Sequence, residues 1–306
     1  MLNTILVPVD GSRFAEAALP HAKRLARAAD ATIQLALVHH VVPAWNTGLA
    51  FPDGGASMEK ETREREERYL ANLAAAVSAE CGRPVKTALL DGSPGEALVQ
   101  HAGEVGADLV VMATHGRGPA SRFWLGSTTD HVLRHGGVPL LAIRPDGEGG
   151  QPAGVPSVRR ILVPVDGSAR SQTVVEPAAA FARLLEAELL LLSVVEPAIG
   201  TMDPALPFPS AIDPAVVESQ RTQAQATLEA IAAPLRTSGL SVETRVAVAL
   251  GVAASILEVL DRDGIDMIAM STHGEGGLRR AFIGSVTDKV IRGAQKPVLA
   301  WRPHNG

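Results

Sequence analysis

The sequence predicts an α/β fold: two tandem, doubly wound, Rossmann-like domains, each built on a parallel sheet. Three observations lead there. The octapeptide Ile-Leu-Val-Pro-Val-Asp-Gly-Ser stands at residues 5–12 and again, unchanged, at residues 161–168. Late in each half, Thr114-His115-Gly116 followed by Gly126-Ser127-Thr128-Thr129-Asp130 is matched by Thr272-His273-Gly274 followed by Gly284-Ser285-Val286-Thr287-Asp288. Between these landmarks, short apolar runs alternate with helix-like stretches, as in strands buried on both faces by the helices that connect them. Ile5 recurs as Ile161 and Thr114 as Thr272, offsets of 156 and 158 residues, so the repeating unit is a whole domain.

The elements follow in order. Residues 4–9 are apolar and β-branched, a first strand, and Ser12 can cap a helix over 13–29. A second buried strand spans 32–38. Residues 58–81 form a long charged helix in which Glu61, Glu64, Arg65 and Arg68 fall at helix spacing; such a charge run reads as a solvated face. A strand at 85–90, a helix at 94–105, a strand at 108–112, a helix at 128–135 and a strand at 138–143 complete the half. The second half repeats the order, with residues 197–214 replacing 43–57 as a long, proline-rich cover over one end of the sheet. A glycine- and proline-rich linker at 146–157 separates domains expected at 1–145 and 158–306.

Composition narrows the classes of function. Hydrophobic residues make up 46% and charged residues 20% of the 306, the balance of a globular chain. A net charge of −5 gives no basic excess for nucleic acid or an anionic membrane. Cys81 is the single cysteine, which leaves no intramolecular disulfide and suits a reducing compartment. The N-terminus lacks a cationic stretch, and apolar runs are too short for a membrane span, so a cytoplasmic location is expected.

Candidate chemistry gathers where a parallel sheet binds ligands, beyond the carboxyl ends of its strands. Asp10 ends the first strand, Gly116 follows the fourth, and Gly126-Ser127 opens the last helix. Glycine lets backbone N–H groups approach a phosphate, and a helix N-terminus adds about half a positive charge. Ser127 and Thr129 can add hydroxyl donors, while Asp10 suits a ribose hydroxyl or an adenine amino group. The plain alternative for Asp10-Gly11-Ser12 is a turn and helix cap. His131 and His135 stand one helical turn apart, but Lys289 and Gly293 replace them in the second copy, as solvated surface residues would allow. Neither His115 nor His273 has an evident serine–acid partner, and no P-loop Gly-Lys-Ser/Thr is present.

Val-Pro-Val-Asp-Gly-Ser, with a later glycine, nine residues and Gly-Ser-x-Thr, resembles the ATP-binding branch of the universal stress protein family. The resemblance covers almost the whole chain in tandem form and implies five-stranded parallel sheets of order 3-2-1-4-5. It also implies a binding or signalling protein with two ATP sites, Mg2+ entering through the nucleotide phosphates. The family's phosphate motif falls on Ala113, Gly116, Gly126 and Ser127, and on Ser271, Gly274, Gly284 and Ser285; small residues, Ala113 and Ser271, replace its first glycine. Base and ribose contacts fall on Pro8, Val9, Asp10 and His40, and on Pro164, Val165, Asp166 and Val194. Met112, Arg117, Thr128 and Thr129 complete the first expected site, and Met270, Val286 and Thr287 the second.

Two other readings stay open at this stage: a slow ATPase or nucleotidyl-transfer enzyme on the same fold, and a structural stress protein that binds nothing. No paired carboxylates accompany the expected phosphate site, which favours binding over catalysis. The resemblance further implies that the fifth strands pair within one chain as a pseudo-dimer, with chains forming homodimers. Arg117 in the first phosphate loop and Glu275 in the second predict tighter binding in the first half.

Overall fold

The computed structural model describes residues 2–39, 56–114, 125–145, 157–197, 213–272 and 283–302. Two compact units divide the chain, Met1–Pro156 and Ser157–Gly306. The first runs β1 (Thr4–Pro8), α1 (Arg13–Glu16), α2 (Leu19–Ala29), β2 (Thr32–His39), α3 (Ala56–Cys81), β3 (Val85–Asp91), α4 (Pro94–Glu104), β4 (Leu109–Ala113), α5 (Ser127–His135) and β5 (Leu140–Ile143). The second repeats it as β6 (Arg160–Pro164), α6 (Ala169–Gln172), α7 (Val175–Leu185), β7 (Glu188–Val195), α8 (Pro214–Thr237), β8 (Val242–Val248), α9 (Val252–Arg262), β9 (Met267–Ser271), α10 (Ser285–Gly293) and β10 (Val298–Trp301).

Every pairing within a unit is parallel. β1 lies between β2 and β4, with β3 beyond β2 and β5 beyond β4. β6 lies between β7 and β9, with β8 and β10 outside them. Helices α2 and α3 pack together, and α4 packs on α5, as expected when crossovers reverse direction at the central strand. The central strands are mostly apolar because both faces are covered, with Gln34 and Ser193 as buried polar residues: Ile5, Leu6, Ile33, Leu35 and Leu109 are fully buried, as are Ile161, Leu162 and Leu189 to Leu191. Each such side chain contributes about 1.5–3 kcal/mol of burial.

The helix expected over residues 13–29 is two helices. Pro20 offers no N–H and its ring would strike the carbonyl of Glu16, so α1 stops there and α2 restarts with Pro20 in its first turn. Pro177 has the same effect at the α6–α7 break. Likewise β5 begins at Leu140 rather than Val138, because Pro139 can give the ladder only its carbonyl, which accepts Val110 N–H at 2.9 Å. Pro214 belongs to α8, whose N-cap Asp213 accepts Ala215 N–H at 2.8 Å. Residues 198–212 of the expected cover, and the linker over 146–156, lie outside the described residues.

Candidate functional site

The first element is the turn that leaves the central strand. Val9 N–H still bonds Ala36 O at 2.8 Å, so Pro8 and Val9 are buried and Asp10 is the first residue past the ladder, half-buried. Gly11 adopts φ +79°, which lets Asp10 Oδ1 accept Ser12 N–H at 2.8 Å; Ser12 Oγ in turn accepts Ala15 N–H at 3.2 Å and caps α1. The second half repeats this closely. Val165 N–H bonds Leu192 O at 2.8 Å beyond Pro164, Gly167 has φ +87°, and Asp166 Oδ1 accepts Ser168 N–H at 2.9 Å. The turn-and-cap reading of Asp-Gly-Ser therefore holds in both halves. It uses one carboxylate oxygen of a group with about four acceptor positions, so the turn is compatible with a ligand contact.

Ser171 distinguishes the second turn from the first, where Ala15 stands. Its hydroxyl accepts Asp166 N–H at 3.2 Å and donates to Ser168 O at 3.0 Å. Desolvation would raise the Asp166 pKa, but hydrogen bonds from Ser171 and Ser168 outweigh it and hold the carboxyl below its ordinary value.

The second element joins the fourth strand to the last helix. Met112 and Ala113 end β4, and Met270 and Ser271 end β9, all buried. Thr114 N–H bonds Ile143 O at 2.8 Å, and Gly126 N–H returns to Thr114 O at 2.8 Å. Thr272 bonds Trp301 O at 2.9 Å, and Gly284 returns to Thr272 O at 2.8 Å. Thr129 Oγ1 donates to Ala113 O at 3.0 Å, and Thr287 Oγ1 to Ser271 O at 2.9 Å. A hydroxyl has one hydrogen, and here it is committed to the strand. Thr129, expected as a phosphate donor, is instead a buried tie between helix and sheet, and Thr287 repeats that role.

What remains at these helix ends is open backbone. Ser127 and Thr128 begin α5, Ser285 and Val286 begin α10, and the serines are exposed in both. Neither helix has a side-chain cap among the described residues, whereas Ser12 and Ser168 cap α1 and α6. The N–H groups of a first turn have no intrahelical acceptor, so each end turns its backbone donors and the positive pole of the helix past the strand ends. Gly126 (φ −58°) and Gly284 (φ −57°) adopt angles open to any residue. Backbone strain therefore does not call for glycine at either position.

His40, Gly116, Arg117 and Gly274 lie outside the described residues. Val194 is described, but it is not the register counterpart of His40. Pro8 pairs with Ala36 and Pro164 with Leu192, so Val194 matches Val38, and the exposed Glu196 matches His40.

Sequence reasoning missed the polar cluster at the ends of β2 and β3. His39 Nδ1 lies 2.6 Å from Glu66 Oε2, and Arg63 holds both oxygens of Asp91 at 2.7 and 3.0 Å. The Arg63 hydrogen bond holds the Asp91 carboxyl below its ordinary range. Part of the charge run on α3 thus reaches back to the sheet, Glu66 to the buried His39 and Arg63 to the exposed Asp91, while Glu64 and Arg68 form an outward pair at 3.9 Å. A mostly apolar strand with no clear alternation hides which face its last residue takes.

The histidine pair has a packing explanation. The His131 ring stacks on His135 with centroids 4.3 Å apart and fills the space over Gly95, where a Cβ would come within 2.6 Å of its Cγ. No group of three or more potential metal ligands occurs among the described residues. Cys81 is buried at the end of α3, its Sγ 4.0 Å from Arg83 O.

With two repeats of one frame in place, comparison with known proteins decides the family. The profile of the universal stress protein family matches residues 1–144 and 157–302. The chain belongs to that family. A universal stress protein of Mycolicibacterium smegmatis is 28% identical over 306 residues, covering 98% of this chain and 97% of its own. One from Thermus aquaticus is 36% identical over 147 residues, 47% of this chain and 100% of the relative, so it matches a single half. The crystal structure of a universal stress protein from Archaeoglobus fulgidus aligns with a TM-score of 0.71 at 19% identity, covering 99% of this chain and 97% of that one. At that identity the likeness is one of fold. No helix among the described residues of this universal stress protein is long and apolar enough to cross a membrane.

Proposed function

We propose that each half binds one adenine nucleotide, ATP with Mg2+ carried on its phosphates, and that the protein acts as a nucleotide-dependent cytoplasmic stress and signalling protein. The observation that carries this reading is the duplicated helix end: an N-terminus without a side-chain cap, preceded by a glycine whose backbone angles do not require glycine. The N–H groups of Ser127 and Thr128, with the Ser127 hydroxyl, suit phosphate oxygens. Ser285 and Val286 offer the same backbone in the second half, with one hydroxyl fewer. Asp10 and Asp166, the first residues past the central ladders, suit ribose hydroxyls or the adenine amino group, beside the apolar Val9 and Val165. Thr129 and Thr287 hold the helix ends against the strands rather than touching ligand.

This arrangement favours binding over turnover. No paired carboxylates stand among the residues expected at the helix ends, and the frame is one of fixed donors. Equilibrium titration with ATP and magnesium should approach two nucleotides per chain, and denaturing freshly purified protein should release adenine nucleotide identifiable by chromatography. Lack of measurable binding at millimolar ATP would overturn the proposal.

A further inference from the structure

The two Asp-Gly-Ser turns share a sequence, but the second has ties for which the first lacks the side chains. Ser171, on α6 and buried, reaches back to the turn that precedes its own helix. Its hydroxyl accepts Asp166 N–H at 3.2 Å and donates to Ser168 O at 3.0 Å, while its N–H donates to Ser168 Oγ at 3.0 Å. Beside it, Gln172 Nε2 donates to Gly167 O at 3.1 Å. Main-chain groups of all three turn residues are thus gripped from α6. The grip extends to the Asp166 side chain: burial would raise its carboxyl, and hydrogen bonds from Ser171 and Ser168 more than reverse that.

Counting from the identical octapeptides, Ala15 stands for Ser171 in the first half and Glu16 for Gln172. Alanine has no hydroxyl. An ionised glutamate only accepts, and Glu16 takes the Tyr69 hydroxyl from α3 at 2.7 Å. A hydroxyl bonded to a carbonyl three residues back is ordinary helix chemistry, and Thr173 does this with Arg170 O at 2.6 Å. Ser171 differs in that its other bond leaves the helix for Asp166.

We propose that Ser171, assisted by Gln172, is a positioning residue of the second nucleotide site, fixing Asp166 in the orientation that meets the ribose or adenine before ligand arrives. This rests on the nucleotide reading above, in which Asp166 is the base-and-ribose contact. A contact group ordered in advance loses less freedom on binding, so part of the ordering cost falls on folding rather than on association. The carboxylate can still accept from a ligand, because it has about four acceptor positions and Ser168 N–H uses one oxygen, at 2.9 Å. The effect opposes the loop charges expected to favour the first half. Its measure is therefore a change within the second site, not the order of the two affinities.

The test reads the second site alone, in the full chain carrying Gly126→Val, by calorimetry with ATP and magnesium. Ser171→Ala gives the turn the first half's residue and should weaken ATP binding about two- to tenfold. A residue that acts through Asp166 has nothing left to position once that carboxylate is gone. In Asp166→Ala, which should itself weaken binding, adding Ser171→Ala should therefore change affinity by less than about twofold. A merely structural role would cost the same in both backgrounds. The reciprocal variant Ala15→Ser, read in Gly284→Val, supplies the missing hydroxyl and should tighten the first site by about two- to fivefold; it decides the question if Ser171→Ala does not fold. No loss in Ser171→Ala, or an equal loss with and without the Asp166 carboxylate, would overturn the inference while leaving nucleotide binding intact. Absence of ATP binding to the second site in Gly126→Val alone would instead remove the reading on which it rests.

Discussion

In the first half Asp108 Oδ2 accepts the N–H groups of Asn3 and Thr4 at 2.6 and 3.0 Å; in the second, Asp266 Oδ2 accepts those of Arg159 and Arg160 at 2.8 and 3.2 Å. The Asp-Gly-Ser turns, the threonine ties and the uncapped helix ends are duplicated just as closely. Charged clusters away from this frame are not. The first half sets His39–Glu66 and Arg63–Asp91 at the carboxyl ends of its strands. The second sets Arg160 with Glu188 and Glu243, and Arg245 with Glu243 and Asp263, toward the amino ends. Thr4, Thr32, Lys86, Ala88 and Val105 are the first-half counterparts of these five. Duplication has kept the turn, the threonine tie and the helix end and let the charged clusters diverge: one half has its pairs at the carboxyl ends of its strands, the other toward the amino ends.

The largest difference expected between the halves is in affinity. From the sequence alone, Arg117 and Glu275, in loops outside the described residues, are expected to bring opposite charges to the two proposed phosphate sites. One charge at such range is worth about 0.7–2.8 kcal/mol, so the first site should bind ATP several-fold to about a hundredfold more tightly. Calorimetry on single-site variants checks it, and equal affinities would break the charge argument.

Next come the shared ties. Thr129→Val and Thr287→Val each remove a hydrogen bond to a strand carbonyl that is buried with them. Each should cost about 1–3 kcal/mol, and the two losses should be alike. Urea unfolding followed by amide exchange on peptides from each half separates them. A loss confined to one half would show that the frame is not equivalent in the two copies.

The amino-edge network should matter less and in one half only. Arg160→Met breaks contacts to Glu188 and Glu243, with an expected loss of about 1 kcal/mol that shrinks in high salt. Lys86→Met, at the exposed position matching Glu243, should stay within about 0.5 kcal/mol. Equal effects would contradict the asymmetry.

The smallest effect lies at acid pH. The folded-state pKa of Asp166 is lowered, so its stabilisation is complete above the unfolded carboxylate value of about 3.9 and is lost as pH falls through the lower folded value. Ser171→Ala gives the second turn the residue of the first. It should reduce stability at pH 6 by roughly 0.2–0.5 kcal/mol, a figure discounted for solvent screening, and flatten the dependence between pH 4 and pH 2. An unchanged acid profile would remove Ser171 from the account.

The sequence made the duplicated frame legible because its parts are local: a strand, Asp-Gly-Ser, and Gly-Ser-x-Thr at one spacing. Features set by side-chain direction were not. Thr129 lies in the same motif as Ser127, yet only the position of the β4 end shows that one turns back to the sheet and the other outward. His39 was hidden by a mostly apolar strand without clear alternation, and the neighbouring His40 was named as the site residue. The mismatch between Val194 and His40 needed the strand register, which motif spacing does not carry. The break before α2 was readable in principle, since Pro20 stands well inside the expected helix.

The central claim is that two separate nucleotide sites have their phosphate ends at the starts of α5 and α10. Calorimetric stoichiometry of ATP binding in Gly126→Val, Gly284→Val and the double variant tests it most directly. A valine side chain at either glycine would fill the space left for phosphate, so each single variant should bind one nucleotide per chain and the double variant none. Two nucleotides bound to a single variant that remains folded, or any bound to the double variant, would contradict the account.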